Sequence, residues 1–205
     1  MTATMSNSND STNDKGARLA LPDICQHSLP DRMHYLQLLV ALAATDHHFQ
    51  APEHDLLQKW MDVFQIPPQS QNAIWEAAEA DDAAIQNLIT KMAHSDLCFS
   101  LMMDMLGIAL LDGILMDEER FFLREVAEGL EIDWSDFDIL VDFIQAACQA
   151  SQQANPDPIF EYSINAGFDL LKRHRIVLFP HTLLCPTNED YNQQLKHRWM
   201  QQQAA

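Results

Sequence analysis

The strongest constraint on the fold of this chain is an internal duplication at an offset of 66 residues. The segment AATDHHFQAPEHDLLQKWMDVFQI (43–66) aligns with ALLDGILMDEERFFLREVAEGLEI (109–132). The identical pairs are Ala43 with Ala109, Asp46 with Asp112, Glu53 with Glu119, Leu57 with Leu123, and Ile66 with Ile132. A fold for this chain therefore has to contain one structural unit twice.

Each copy has the pattern of two helices joined by a tight turn. An apolar helical stretch ends in an Asp, one apolar residue follows in the turn (Phe49 or Leu115), and a Glu stands seven residues after the Asp. Apolar residues recur every three or four positions in the other segments too, and no segment alternates convincingly at period two. We therefore predict an all-α fold of roughly eight helices, a helical bundle with two pseudo-symmetric helix-turn-helix repeats.

Prolines and capping residues predict where the helices begin. Pro52 and Pro158 suit the first turn of a helix, where a missing N–H group costs nothing. Asp96 is predicted to open the long apolar helix and Asp117 to cap the next one. Ser135 is predicted to form a capping box with the Asp three residues later. The apolar residues predicted to face the core on the two repeated helices include Leu57, Trp60, Val63, Phe64, Phe121, Phe122, Val126 and Leu130.

The chain is predicted to divide into three parts. Residues 1–18 are rich in Ser, Asn, Thr and Asp, which predicts a disordered tail. Residues 19–150 contain the helical domain, and residues 151–205 form a C-terminal helical extension after the linker QASQQANPDP. Within the extension, IVLFPHTLLCP (176–186) predicts an extended or looped segment, and the role of the extension is not evident from its sequence.

Composition narrows the class of protein. There are 12 Lys and Arg against 30 Asp and Glu, a net charge of −18, which argues against a nucleic-acid partner because phosphates are bound by clustered cations. The 47% of apolar residues suffices for a folded core. The apolar runs are far shorter than the roughly 18 residues of a membrane span. The N-terminus has no secretion signal, and four widely spaced cysteines indicate reduced thiols, so a cytoplasmic protein is expected.

The repeated Asp stands at an unfavourable end of its helix. A Glu in the first turn of a helix is favoured by the helix dipole, by about 0.3–1 kcal/mol, whereas negative charge at the C-terminal end is disfavoured. Two hairpins packed about a pseudo-two-fold axis would bring both turns, and four carboxylates, to one locus. A hard cation with oxygen ligands would relieve the repulsion within such a cluster.

The pattern A-x-x-D-G-x-L-x-x-x-E, repeated in an acidic helical protein, resembles the tellurite-resistance protein B (TerB) family. That family shares its fold with the N-terminal domain of a membrane-anchored DnaJ-like co-chaperone. The resemblance covers about residues 31–148 and implies a small non-catalytic helical domain with an acidic centre for a divalent metal ion, Ca²⁺ or a similar one. Asp112-Gly113 fits the motif, whereas His47 replaces the Gly in the first copy. The metal ligands that the resemblance implies are Asp46, Glu53, Asp112 and Glu119.

Other interpretations of the repeated acids stay open. The Asp residues would also serve as turn caps and the Glu residues as helix-dipole partners, with no metal bound. An EF-hand is excluded, because its loop needs alternating acidic ligands, whereas the residues between Asp and Glu here are mostly apolar. His47 and His48 would shift the preference of a metal site towards Zn, Ni or Fe(II), which imidazole suits.

Two further function classes compete with a metal-binding module. A metal-dependent phosphohydrolase would use the pair His54-Asp55, with His34 and Asp112 as further ligands. A metal-free scaffold would be recognised through the acidic residues of 104–142, among them Glu125 and Glu128. The interpretation that we favour is a non-catalytic, cytoplasmic, metal-binding interaction module that binds a protein partner. That partner would be a basic protein or a second copy of the chain. The module's membership in stress- or defence-related assemblies is implied by the resemblance alone.

Overall fold

The computed structural model describes residues 24–45, 51–110, 115–151, 158–176 and 189–203, and every regular element in these ranges is helical, as predicted. Short 3-10 turns lie before the first helix (Ile24–Gln26) and after the third (Glu76–Glu79). The α-helices are α1 (Leu29–Ala43), α2 (Ala51–Val63), α3 (Pro68–Trp75), α4 (Asp82–Met92), α5 (Cys98–Ala109), α6 (Asp117–Gly129), α7 (Trp134–Ser151), α8 (Pro158–Arg173) and α9 (Glu189–Gln203). Within the described ranges, no helix is long and apolar enough to cross a membrane.

Side-chain caps and prolines account for several helix starts. The Ser28 hydroxyl accepts a hydrogen bond from the Asp31 backbone N–H (3.3 Å) at the start of α1. The Asp81 carboxylate accepts one from the N–H at the third position of α4 (2.8 Å). Each such cap is worth about 0.5–2 kcal/mol. As predicted, α2 and α8 begin within one residue of Pro52 and Pro158.

The predicted cap at Asp117 is wrong, and α5 begins two residues after Asp96, which was predicted to open it. Asp96 lies in the turn before α5, and the hydroxyl of Ser95 accepts a hydrogen bond from the backbone of that turn (3.2 Å). Asp117 is the first residue inside α6, and the Glu119 carboxylate accepts a hydrogen bond from the N–H of the capping residue Met116 (2.9 Å). An acid in the first turn is favoured by the helix dipole even where it does not cap.

The predicted capping box at Ser135 is also wrong, because α7 begins at Trp134, two residues before the start that a cap at Ser135 would give. The Asp133 carbonyl accepts hydrogen bonds from the N–H groups of Asp136 and Phe137 (2.9 Å each), so Asp133 occupies the capping position. Ser135 lies inside the first turn of α7. Ser and Asp both suit a helix N-terminus, and their spacing alone does not distinguish the two starts.

Helices α1 and α5 pack side by side, and two contacts along them indicate that they run in the same direction. The Tyr35 hydroxyl of α1 donates a hydrogen bond to Asp104 of α5. His27, just before α1, lies 3.6 Å from Asp96, just before α5. In each pair the two residues are 69 positions apart in sequence. Contacts that keep one sequence separation along two helices are expected when the helices are parallel. The C-terminal ends of α1 and α5, where the two repeated turns begin, therefore lie at the same end of the bundle.

The two copies of the repeat have the same structure where they are described. Gln65 after α2 and Glu131 after α6 both adopt a left-handed backbone, with φ of 52° and 59°. The next residues, Ile66 and Ile132, each donate a backbone hydrogen bond that closes the end of the helix (2.8 and 2.9 Å). Equivalent positions are also buried: Leu57 and Leu123, Trp60 and Val126, Met61 and Ala127, Phe64 and Leu130.

Two residues that we predicted to be in the core are exposed. Val63 of α2 is 54% exposed and Phe121 of α6 is 64% exposed. On α6 the buried face is centred on Leu123, Val126 and Ala127. Successive residues of an α-helix are 100° apart, so Phe121 lies on the opposite side of the helix from this face.

The C-terminal helices pack onto the same core. Gly167 of α8 lies against the Phe143 ring of α7, where a Cβ atom would come within 2.4 Å of the ring. Phe168 contacts both Phe143 and Trp199 of α9, with ring centroids 5.6 and 5.9 Å apart. The linker residues 152–157 and most of the segment 176–186 lie outside the described ranges, as does the predicted tail. The division into a domain and an extension stays a prediction.

Candidate metal centre

Glu53 and Glu119 occupy the same position in the two hairpins. Each is the third residue of its helix, α2 or α6, and each is half-buried. Each stands four residues before a buried Leu, Leu57 or Leu123, and residues four apart lie on the same face of a helix. The two carboxylates therefore extend the buried faces of α2 and α6 towards the turns that precede these helices.

The structure brings together the helix ends on which the predicted metal site depends. Because α1 and α5 are parallel, the turn after α1 and the turn after α5 start from the same end of the bundle. Asp46 and Asp112 themselves lie outside the described ranges, within 46–50 and 111–114. Their role as ligands, and that of Glu53 and Glu119, therefore stays a prediction.

Backbone hydrogen bonds define the entry and exit of these turns. At the end of α1, the Leu42 carbonyl accepts hydrogen bonds from both the backbone N–H and the hydroxyl of Thr45. At the start of α6, the hydrogen bond from Met116 to Glu119 orients the Glu119 carboxylate. Within the described ranges, no three His, Cys, Asp or Glu side chains are grouped to hold a metal ion. A site at this end therefore needs acids from the turns, and carboxylate oxygens suit hard cations.

Three residues of the phosphohydrolase hypothesis, His34, His54 and Asp55, lie within the described ranges. The His54 ring stacks on Trp75 of α3, with centroids 4.5 Å apart and an interplanar angle of 8°. Asp55 lies 3.8 Å from His54, and both side chains are more than half exposed. His34 forms no metal-binding group with this pair, since none exists among the residues described. The fourth residue of that hypothesis, Asp112, lies outside the described ranges.

His34 instead lines an open groove of about 580 Å³ between α1 and α4. Burial lowers the pKa of His34, and the nearby Lys91 lowers it further, so the imidazole favours its neutral form. Four of its lining residues are alanines. This groove was not predicted, because its walls come from helices that are distant in the chain. Its lining residues are Pro30, Met33, His34, Gln37, Ala73, Glu76, Ala77, Ala80, Ala84, Asn87, Leu88 and Lys91.

Two acids of the region 104–142, which we interpreted as an acidic face, are in fact buried. Asp104 is fully buried beside Tyr35, and Asp136 is 4% exposed. Asp136 accepts a hydrogen bond from His174 (2.7 Å) and lies 3.3 Å from the Arg173 guanidinium. The position of Asp104 inside an apolar helical stretch indicates burial. The partners of Asp136 are the last residue of α8 and the residue after it, and they are not evident from the local sequence.

These observations define the class of the protein as a duplicated helical-hairpin protein, with parallel central helices and an acid at the same position of each second helix. The sequence pattern of the family described as Tellurite resistance protein TerB matches residues 32–141, which is more than half of the chain. The chain therefore belongs to the TerB family, as the repeated motif indicated. Comparisons with curated proteins and with solved structures gave no match.

Proposed function

We propose that this chain is a non-catalytic helical module that binds a divalent cation at its two repeated turns. Its ligands would be Asp46 and Glu53 from the first hairpin and Asp112 and Glu119 from the second. The observation that carries the proposal is the parallel packing of α1 and α5, because both turns then start from one end of the bundle. Four carboxylates at one place repel each other unless a cation neutralises them.

The chemistry of the ligand set favours Ca²⁺ or a similar hard cation, because every proposed donor is a carboxylate oxygen. His47 and His48 stand in the first turn, directly after Asp46. Coordination by either imidazole would move the preference towards Zn²⁺ or another transition metal. The identity of the preferred ion therefore reports whether the histidines join the site.

We extend the proposal to the compartment and the partners of the module. We propose that the module is a cytoplasmic protein that acts by binding another protein, and its net charge of −18 suits a basic partner. Membership in a stress- or defence-related assembly is suggested by the TerB family alone. The alternative partner is a second copy of the same chain.

Calorimetric titration of the full, chelator-treated chain tests the cation site. Ca²⁺, Mg²⁺, Mn²⁺ and Zn²⁺ are added in turn, and we expect saturable binding of at least one of them. The change Asp46→Asn with Asp112→Asn should remove that binding. The matched control is Asp55→Asn with Glu118→Gln, which removes the same charge from exposed positions of α2 and α6 and should leave binding intact.

Two results would contradict the proposal. The first is a parent chain that binds none of the four cations. The second is metal-dependent hydrolysis of a phosphoester that His54→Ala abolishes while the far-ultraviolet circular dichroism stays unchanged. In the first case the repeated Asp residues would serve as turn caps, and in the second the chain would be a hydrolase.

A further inference from the structure

Two large aromatic side chains lie exposed, one on the second turn of α6 and one at the first residue of α7. Phe121 is 64% exposed and Trp134 is 53% exposed. Arg124 follows Phe121 by one helical turn, and its guanidinium lies 5.0 Å from the centre of the Trp134 ring. The three side chains therefore form a continuous surface. Aromatic residues and Arg are the residue types enriched at the centres of protein–protein interfaces.

Two exposed acids complete this surface. Glu125 stands four residues after Phe121 on α6, and therefore on the same side of the helix. Glu128 stands four residues after Arg124 and lines a narrow crevice together with Arg124 and Trp134. We call these five residues, Phe121, Arg124, Glu125, Glu128 and Trp134, the Phe121–Trp134 surface.

The charge around this surface indicates the chemistry of its partner. Between residues 117 and 134, six exposed acids stand against two exposed arginines, and one of those arginines is stacked on Trp134. Such a field repels phosphates and attracts cationic side chains. A second copy of the chain is disfavoured, because each copy carries a net charge of −18. The exposed acids are Asp117, Glu118, Glu125, Glu128, Glu131 and Asp133.

We propose that the Phe121–Trp134 surface binds a Lys- or Arg-rich segment of a partner protein that also carries apolar side chains. Cations of the segment would pair with Glu125 and Glu128 and lie over the aromatic rings, where cation–π attraction adds to charge attraction. The apolar side chains of the segment would cover Phe121. This inference rests on the proposed role as an interaction module and is independent of the cation site.

Fluorescence anisotropy tests the aromatic part of the surface. The probe is a labelled peptide of Lys and Leu spaced to form an amphipathic helix, titrated with the full chain, and an analogue with Glu for Lys should not bind. Phe121→Ser with Trp134→Ser should weaken binding of the Lys peptide by about tenfold or more, as expected for central aromatic residues. Ile159→Ser with Tyr162→Ser is the matched control, because it removes two large residues of α8 that are at least as exposed, and it should change binding less than about twofold.

A second pair of variants tests the charged part. Glu125→Gln with Glu128→Gln should weaken binding by about tenfold, since close opposite charges at an interface couple strongly. Asp62→Asn with Glu79→Gln removes the same net charge from exposed positions elsewhere and should have an effect below about twofold. The difference between the two pairs separates local contact from general attraction to an acidic protein.

Several outcomes would overturn the inference. If each surface pair and its control weaken peptide binding equally, the chain still binds the peptide, but the Phe121–Trp134 surface is not the binding site. If the peptide does not bind the parent chain, the proposed partner chemistry is wrong. If the parent chain is a dimer that Phe121→Ser with Trp134→Ser dissociates, the occupant is a second copy. If the chain binds no cation but the peptide experiments give the expected results, only the cation proposal is contradicted.

Discussion

Replacement of Tyr35 by Phe is expected to lower the free energy of unfolding by about 1.5–3 kcal/mol, although it removes a single oxygen atom. Tyr35 and Asp104 are both fully buried in the contact between the parallel helices α1 and α5. The Tyr35 hydroxyl donates a hydrogen bond to the Asp104 carboxylate. The variant leaves that carboxylate buried with one donor fewer, which is costly because water cannot replace the donor.

Urea unfolding followed by circular dichroism measures this loss. Tyr162→Phe is the matched control, because Tyr162 is 77% exposed and the same change there should alter stability by less than about 0.5 kcal/mol. Equal effects of the two variants would contradict a stabilising role for the buried pair. The contact between α1 and α5 would then depend on apolar packing alone.

Alkaline pH provides an independent test of the same pair. Burial raises the pKa of Tyr35 well above its usual value, and the neighbouring Asp104 charge raises it further. Above a pH of about 10, the unfolded chain loses the tyrosine proton while the folded chain keeps it. The parent chain therefore loses stability as pH rises through this range, and Tyr35→Phe removes that component of the loss. The stability difference between parent and variant should shrink above a pH of about 10, and a constant difference would contradict the pKa shift.

Replacement of Trp199 by Ala should lower the free energy of unfolding by about 3–5 kcal/mol, the usual cost of removing a large buried aromatic residue. Trp199 of α9 is fully buried and contacts Phe168 of α8, which in turn contacts Phe143 of α7. These rings connect the last helix of the chain to a helix whose first residues lie within the TerB match. Loss of the indole should therefore destabilise the whole bundle.

Thermal unfolding of the full chain distinguishes one cooperative unit from two. We expect a single transition at a lower temperature in Trp199→Ala. Trp134→Ala, which removes an exposed Trp, should cost less than about 1 kcal/mol, because it loses little more than the contact with Arg124. Two separate transitions, of which Trp199→Ala lowers only one, would show that α8 and α9 form an independently stable part.

The internal repeat made much of the fold predictable. Identities such as Leu57 with Leu123 and Ile66 with Ile132 correspond to equivalent buried positions in the structure. The left-handed backbone at Gln65 and Glu131 follows the same offset, although neither residue is a Gly that would reveal such a turn. The two copies of the repeat thus share a backbone geometry that the residue types at these positions do not indicate.

Other features depend on contacts that are distant in sequence. Helical periodicity predicts one apolar face for α6, but Phe121 lies on the opposite side of the helix from that face and was wrongly predicted to be buried. Asp104 is buried because its partner comes from α1, 69 residues earlier. The parallel direction of α1 and α5 also arises from such contacts, and it underlies the proposed cation site. The four ligands themselves stay a prediction.

We propose that the two hairpins share one cation, and the stoichiometry of binding tests this most directly. The experiment is a calorimetric titration of the parent chain, of Glu53→Gln and of Glu119→Gln with the preferred cation. We expect one cation per chain, and each single variant should weaken that same binding event by about tenfold or more. Two cations per chain, with one lost in each variant, would contradict a shared site and show that each hairpin binds its own ion.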